Sequence, residues 1–398
     1  MKPVFKTTGL AALLLAASTL TSVAETTVTT WNNEKGIFAV DGYLAAAGSV
    51  GKVGGGDRTY SLFDSQNQSF DAVKLGIKGQ YEFFEGYLSA MYIPELTSGH
   101  STRNGTYSWN GGSRAPTDSE AGIVEAFVKI NVPGTGLSLT VGKYITPLGY
   151  EAFHTIDNAL ITGGYDGYGL YDSHIPAVHT GVRLDFVNKY VEAGAGIVDS
   201  TTAGYGFWEG DGDIGNGVGV EAYVKYVGTQ RLKLFAGLAY DYRNNNTKVR
   251  DTLCLDFWGS YDISKSVSIG GEFVFGDDKG VKGEFEVDGT QKNPRPTYSW
   301  ILFAKFTTPG HLFLKEDNLS IAARISGIHT QKTYAEDSNV PCDVNVFKFS
   351  LAPTYTFNKY LSFRVEGSVF SGEIKNKYAH TTHDLNGWFI GAQALLKF

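Results

Sequence analysis

The chain ends Gly387-Trp388-Phe389-Ile390-Gly391-Ala392-Gln393-Ala394-Leu395-Leu396-Lys397-Phe398. Trp388, Ile390, Ala392, Ala394, Leu396 and Phe398 form an uninterrupted apolar set at a spacing of two, while the alternate set holds Gln393 and Lys397. Successive side chains of a strand point to opposite faces, so this spacing predicts a strand with one face in an apolar medium.

Working outward from the C-terminus, the same alternation recurs. Apolar sets run Phe38 to Ala46, Val73 to Tyr81, Phe84 to Tyr92, Val124 to Val132, Leu137 to Val141, Val178 to Phe186, Val191 to Ile197 and Val218 to Tyr226. They continue Leu232 to Tyr240, Leu253 to Tyr261, Val267 to Phe275, Tyr298 to Phe306, Leu319 to Ile325, Phe347 to Leu351 and Leu361 to Val369. With the last strand this predicts about sixteen strands, and helical periodicity is almost absent. The apolar sets carry no charge, whereas the alternate positions carry twenty-two, twelve basic and ten acidic. Lys143 breaks this parity; an interfacial position or a bulge at Gly142 would accommodate it.

A β-sandwich shows the same alternation with the opposite side inward, so loop lengths decide between the two. Long connections (47–71, 93–121, 146–176, 199–216, 277–296, 328–344 and 371–386) alternate with short ones such as Pro133-Gly134-Thr135-Gly136 and Gly228-Thr229-Gln230. Outer-membrane barrels combine short periplasmic turns with long external loops, and a Greek-key sandwich has no reason to. Tyr81, Tyr92, Tyr226, Tyr240, Tyr261, Phe275, Tyr298, Phe306, Trp388 and Phe398 lie near the ends of apolar faces, where interfacial girdles form. The expected fold is therefore all-β: a transmembrane, antiparallel, up-and-down barrel occupying 25–398 as one domain.

Residues 1–24 read as a signal peptide. Lys2 and Lys6 precede the apolar stretch from Gly9 to Leu20, which is too short to span a bilayer, and Ser22-Val23-Ala24 supplies small residues before a cut. Without Lys2 and Lys6, 32 basic residues face 41 acidic ones, a balance that argues against nucleic-acid binding. Cys254 and Cys342 do not make a disulfide framework; one bridge across the mouth and two free thiols both remain open.

The stretch from Val124 through Lys143-Tyr144-Ile145-Thr146-Pro147-Leu148-Gly149-Tyr150-Glu151, with Ile175-Pro176-Ala177-Val178-His179-Thr180-Gly181-Val182-Arg183, resembles the β-barrel porin-2 family, the OmpL-like outer-membrane porins. The resemblance implies a pore-type protein of the cell outer membrane, without catalytic residues and without a settled substrate. The terminal Phe398 resembles the signal by which the barrel-assembly machinery recognises its clients.

The expected function is an aqueous channel for passive diffusion of small polar solutes, without cofactors, set in outer-membrane lipid. A homotrimer is expected by analogy with other sixteen-stranded porins. Arg183, Arg324 and Arg364 are the candidates for a basic wall at a constriction. Each has an ordinary alternative as a salt-bridged wall residue. The loop 146–176 is expected to fold inward and set Asp157, Asp166 and Asp172 opposite that wall. Two other readings are a non-transporting surface or adhesion barrel and an outer-membrane hydrolase. The hydrolase would use Asp172-Ser173-His174 with His179, but neighbours in sequence rarely acquire triad geometry. His380-Thr381-Thr382-His383-Asp384 offers metal donors within what reads as a solvated external loop.

Overall fold

The computed structural model describes residues 29–32, 36–53, 72–93, 120–152, 154–162, 175–176, 178–199, 217–243, 252–278, 295–308, 311–314, 316–334, 340–376, 381–384 and 386–398. Among these, sixteen strands build the wall. They are β1 Gly36–Val53, β2 Ala72–Tyr81, β3 Phe84–Ile93, β4 Glu120–Asn131, β5 Leu137–Ile145, β6 Val178–Val187, β7 Val191–Val198 and β8 Gly217–Tyr226. The second half holds β9 Leu232–Arg243, β10 Thr252–Asp262, β11 Val267–Asp278, β12 Arg295–Thr307, β13 Asn318–Tyr334, β14 Val340–Thr356, β15 Leu361–Asn376 and β16 Gly387–Lys397.

Each strand pairs antiparallel with the next, and β16 pairs antiparallel with β1, so the sheet closes on itself. Closure removes the sheet edges and satisfies every strand's backbone internally, as a hydrocarbon environment demands. The seam ends in a reciprocal pair: the Gly42 amide donates to the Phe398 carbonyl at 2.9 Å, and the Phe398 amide donates to the Gly42 carbonyl at 3.0 Å. The Phe398 ring lies over Gly42, where a Cβ would meet it at 2.6 Å. Two short strands add to this wall. Thr29–Asn32 pairs with β1 beyond the seam, and Thr381–Asp384 pairs with the outer end of β15.

The burial pattern is that of a soluble protein turned inside out. Leu75, Leu184, Ile197, Leu302 and Val369 are exposed on the outer surface, each at half or more of its full area, while Asp41, Lys74, Glu221, Arg324, Lys348 and Glu366 are buried on the inner one. A water-soluble fold buries large apolar side chains and exposes charges; the reverse requires an apolar solvent outside. Tyr81, Tyr226, Tyr261 and Phe306 lie exposed at one end of the outer surface, and Tyr92, Tyr298 and Trp388 at the other. These are the two girdles of a membrane-spanning band.

Three features differ from the sequence expectation. Val124 does not face outward: the β3–β4 register shifts between Ser89 and Ala90, so Ile123 takes the outer position and Val124 packs inside with Tyr43, Met91 and Ile145. Of the two accommodations for Lys143 the bulge is absent, with no register shift at Gly142; the residue stays on the outer face two positions from the end of β5, across from Ala126 and Thr180 and within electrostatic range of Asp199. Finally, β1, β13, β14 and β15 run on into segments read as loops, ending or beginning at Val53, Tyr334, Val340 and Asn376. Beyond the hydrocarbon both faces of a strand meet water, so the apolar alternation stops before the strand does.

Gly142 is held at φ +129° with Phe127 on one side and Gly181 on the other. A Cβ there would sit 2.2 Å from the Ala126 carbonyl oxygen. Gly142→Ala should therefore cost at least the ~1–3 kcal/mol of an unfavourable backbone conformation. Refolding titrations in urea with lipid vesicles should show the midpoint falling.

Candidate functional site

The described part of the long connection between β5 and β6 turns inward and is fastened across the lumen. It begins at Thr146, whose hydroxyl donates to Glu221 Oε2 of β8 at 2.5 Å. The Gly149 amide donates to Asp256 Oδ2 of β10 at 2.7 Å, and the Tyr150 amide to Glu272 Oε1 of β11 at 2.7 Å. Glu151 receives Arg324 of β13. A short 3-10 turn follows at Thr155–Asp157. Arg364 of β15 then donates to the Asn158 carbonyl. Glu366 of β15 accepts from the amides of Ile161 and Thr162 at 2.6 and 2.8 Å and from the Thr162 hydroxyl at 2.5 Å. Lys348 of β14 also donates to that hydroxyl at 2.5 Å. The segment thus touches wall strands from β8 to β15 within seventeen residues.

Apolar contacts follow the same path. Leu148 and Ile175 pack against inward Tyr223, Phe235, Ala239, Cys254, Val274 and Ile301. Ile156 packs against Tyr43, Val124 and Leu395, Leu160 against Ala322 and Ala352, and Ile161 against Ala47. A water-filled tube would gain nothing from apolar side chains on its inner wall. Here they form a seat for the inward segment.

Charge in the wall is organised in pairs. Arg183 of β6 meets Asp185 at 2.9 Å and Glu221 at 3.9 Å, with its guanidinium 4.7 Å from the Tyr144 ring centroid. Lys74 faces Asp41 at 3.5 Å and Glu125 at 3.9 Å, Lys78 faces Glu85 at 3.3 Å, and Lys225 faces Glu192 at 3.2 Å. Such pairing is what enclosure requires, because an unpaired buried charge costs several kcal/mol.

The three arginines singled out in the sequence all point inward and are buried. Arg324 and Arg364 grip the inward segment, whereas Arg183 belongs to the wall near its start. Asp157 lies on the inward segment within electrostatic range of Lys397 and Tyr43. Asp166, Asp172, Ser173 and His174 lie outside the described residues. His179 lies inside the barrel, 3.3 Å from Glu221 and edge-on to Tyr144. His380 is also outside the described residues; Thr381–Asp384 is a strand, and among the described residues no cluster of three or more metal-ligating side chains occurs. Cys254 is a buried, free thiol, and Cys342 lies in β14.

The sequence did not single out Glu151, the acid that meets Arg324, nor show that the inward Glu366 and Lys348 hold Thr162. Both Glu366 and Lys348 carried a signal, as charges on the inward parity of their strands, whereas Glu151 lies in a long connection without one. Burial raises the Tyr150 hydroxyl above the ordinary tyrosine range, with Glu151, Glu272 and Asp262 adding to it. His154 is fully enclosed, with its Nδ1 3.3 Å from the Tyr43 hydroxyl; burial and then Lys74 hold its pKa well below the usual histidine value.

His154 makes the seating of this segment acid-sensitive. Docked, the imidazole is neutral; released into water, it binds a proton below about pH 6.5. The released state therefore binds more protons, and docking weakens as pH falls below 6.5, by about 1.4 kcal/mol per pH unit until the docked imidazole itself titrates. Current fluctuations in planar bilayers should increase between pH 6.5 and 5 in the native chain and change less in His154→Gln.

Similarity to known proteins agrees with the barrel fold. Residues 39–398 match the family described as "Putative beta-barrel porin-2, OmpL-like". Among solved structures, OmpF of Salmonella typhi in complex with daunomycin is similar at 13% identity, covering 93% of this chain and 100% of that one, with a TM-score of 0.57. The outer membrane channel DcaP of Acinetobacter baumannii is similar at 11% identity with the same coverage and a TM-score of 0.55. In-vitro folded OmpT of Vibrio cholerae, an outer membrane protein, gives 13%, the same coverage and 0.55. A trimer form of that OmpT gives 12%, with 91% of this chain and 99% of that one covered, and 0.52. At these identities the likeness is one of fold. No curated protein sequence matches the chain.

Proposed function

The chain belongs to the β-barrel porin-2, OmpL-like family and is an outer-membrane porin, and from that premise we propose that it passes small polar solutes by diffusion through a lumen narrowed by the segment 146–162. The observation that carries the reading is the inverted burial, apolar outside and charged inside, with that segment pinned across the interior. A sixteen-stranded barrel is wide enough to leave an aqueous passage, and an inward segment then sets its bore.

In this reading Arg183, Arg324 and Arg364 form the basic side of the narrowing. Asp157, together with Asp166 and Asp172 beyond the described residues, forms its acidic side. Two of the arginines are already engaged by the segment, so their first role is to hold it and their second is to set the local field. Export through removal of 1–24, an outer belt of membrane lipid, recognition of Phe398 by the assembly machinery, and association into a homotrimer complete the proposal. The trimer is supported by the trimer form of the similar OmpT.

Purified, folded protein reconstituted into planar bilayers in KCl should give stable single-channel openings, and its detergent complex should have the mass of three chains. Pure protein that folds but never opens would overturn the diffusion reading and favour a barrel whose loops act at the surface while its lumen stays plugged. The family and fold are those of a channel rather than an enzyme. Hydrolysis that disappears in Ser173→Ala would be needed to argue otherwise.

A further inference from the structure

Most inward charges are paired, but one part of the lumen departs from this rule. On β9 and β12, near the end where the short turns lie, Lys233 and Lys305 are exposed and have no salt bridge among the described residues. Of the acids on neighbouring strands, Glu192 pairs with Lys225, while Asp256 and Glu272 are turned to the Gly149 and Tyr150 amides. Asp262, at the end of β10, is the exposed acid of this region. Lys305 instead has a second cation, Arg364, within electrostatic range.

Beside these lysines runs a file of aromatic rings from adjacent strands and the inward segment. Tyr223 stacks on Phe235 at 5.9 Å, and Phe235 on Trp258 at 5.1 Å with an interplanar angle of 5°. Trp258 meets Tyr150 edge-on at 5.6 Å, and Tyr150 stacks on Phe303 at 4.3 Å. Tyr223 and Phe235 are buried under Leu148, but Trp258, Tyr150 and Phe303 are each partly open. Phe303 lies flat against the wall because its neighbour across β11–β12 is Gly270, where a Cβ would come 2.3 Å from the ring. One face of that ring is spent on the backbone and the other on Tyr150, so it presents its edge to the lumen, and a side chain at 270 would push it off.

We infer that Trp258, Tyr150 and Phe303, flanked by Lys233 and Lys305, form a binding station for small aromatic carboxylates on their way through the channel. The inference rests on the porin reading and adds a substrate class to it. These partly open rings offer their edges and remaining faces to a planar apolar solute. The unpaired ammonium groups supply the charge that a carboxylate needs and a neutral ring does not. An aliphatic anion would use only the lysines, and a neutral aromatic only the rings, so a solute with both features should be held longest.

Single channels in KCl test this with benzoate, acetate and benzamide as probes. Benzoate should interrupt the current of the native channel at concentrations about tenfold below those needed for either other probe. The Lys233→Gln, Lys305→Gln double variant should keep its KCl openings and raise the benzoate concentration for half-maximal block by about tenfold. Phe303→Leu should raise it without altering the reversal potential in a KCl gradient. Openings in KCl with benzoate no better than acetate would overturn the inference while leaving the porin reading intact. Benzoate block unchanged in the double variant would do the same. A folded protein without KCl openings would remove both.

Discussion

Glu366→Ala should raise single-channel conductance severalfold and make it noisy, the largest functional change expected of any single substitution in this barrel. The carboxylate accepts two backbone amides and the Thr162 hydroxyl from the inward segment, and it also accepts from Ser368. It faces Arg324 at 3.8 Å. Removing it deprives these four donors of their acceptor in an enclosed place and leaves Arg324 with less compensation. Deleting one member of such a buried set costs about 3–5 kcal/mol. Most of that loss falls on the docked state of residues 158–162, because the β15 backbone pairing to β14 and β16 does not depend on the side chain. Glu366→Gln keeps an acceptor oxygen and should give a smaller rise. Retention of the compact, heat-modifiable form on electrophoresis would establish that the barrel itself persists. Conductance equal to that of the native chain would show that the segment does not narrow the passage.

Leu302→Arg should impair folding into membranes more than any comparable change on the inner face. Leu302 lies on the outer surface of β12, between Tyr298 and Phe306, which mark the two girdles on that strand. An arginine at this depth costs roughly 2–4 kcal/mol. Folding yield into vesicles of matched thickness, followed by the heat-modifiable band, should drop, whereas Lys305→Arg on the inner face should fold as the native chain does. Equal yields for the two variants would contradict the assignment of the outer surface to lipid.

The wall was legible in the sequence because one physical constraint repeats along it. Every outward position in the hydrocarbon must be apolar, and the inward ones are free to be charged. Leu302 and Lys305 illustrate the contrast within one strand. Reading stops where the constraint stops. The outer ends of β13 and β14 reach Tyr334 and Val340 without apolar alternation because water meets both their faces. Val124 was misplaced because Ile123-Val124-Glu125 offers two adjacent apolar residues, and a single extra residue in a strand moves its neighbours to the opposite face.

The inward segment was legible only as a long connection rich in Gly, Tyr and Asp. Its anchors are amides and carbonyls at Gly149, Tyr150, Asn158 and Ile161 meeting side chains far away in sequence. A backbone amide leaves no mark on composition, so these contacts have no sequence signature. Glu366 looks like any other inward acid until Thr162 is placed on it.

The seam between Gly42 and Phe398 also has a consequence in time. The first and last strands of the wall are partners, so β1 cannot be satisfied until β16 has been made and delivered. Up to that moment the sheet has two open edges, and neither the growing chain nor its early hairpins can close the cylinder. Pairing the ends of so long a chain is also the costliest loop closure available to it. Closure of the wall is therefore an event that follows synthesis of all sixteen strands. The unclosed chain must be kept from aggregating through its exposed strand edges until β16 arrives.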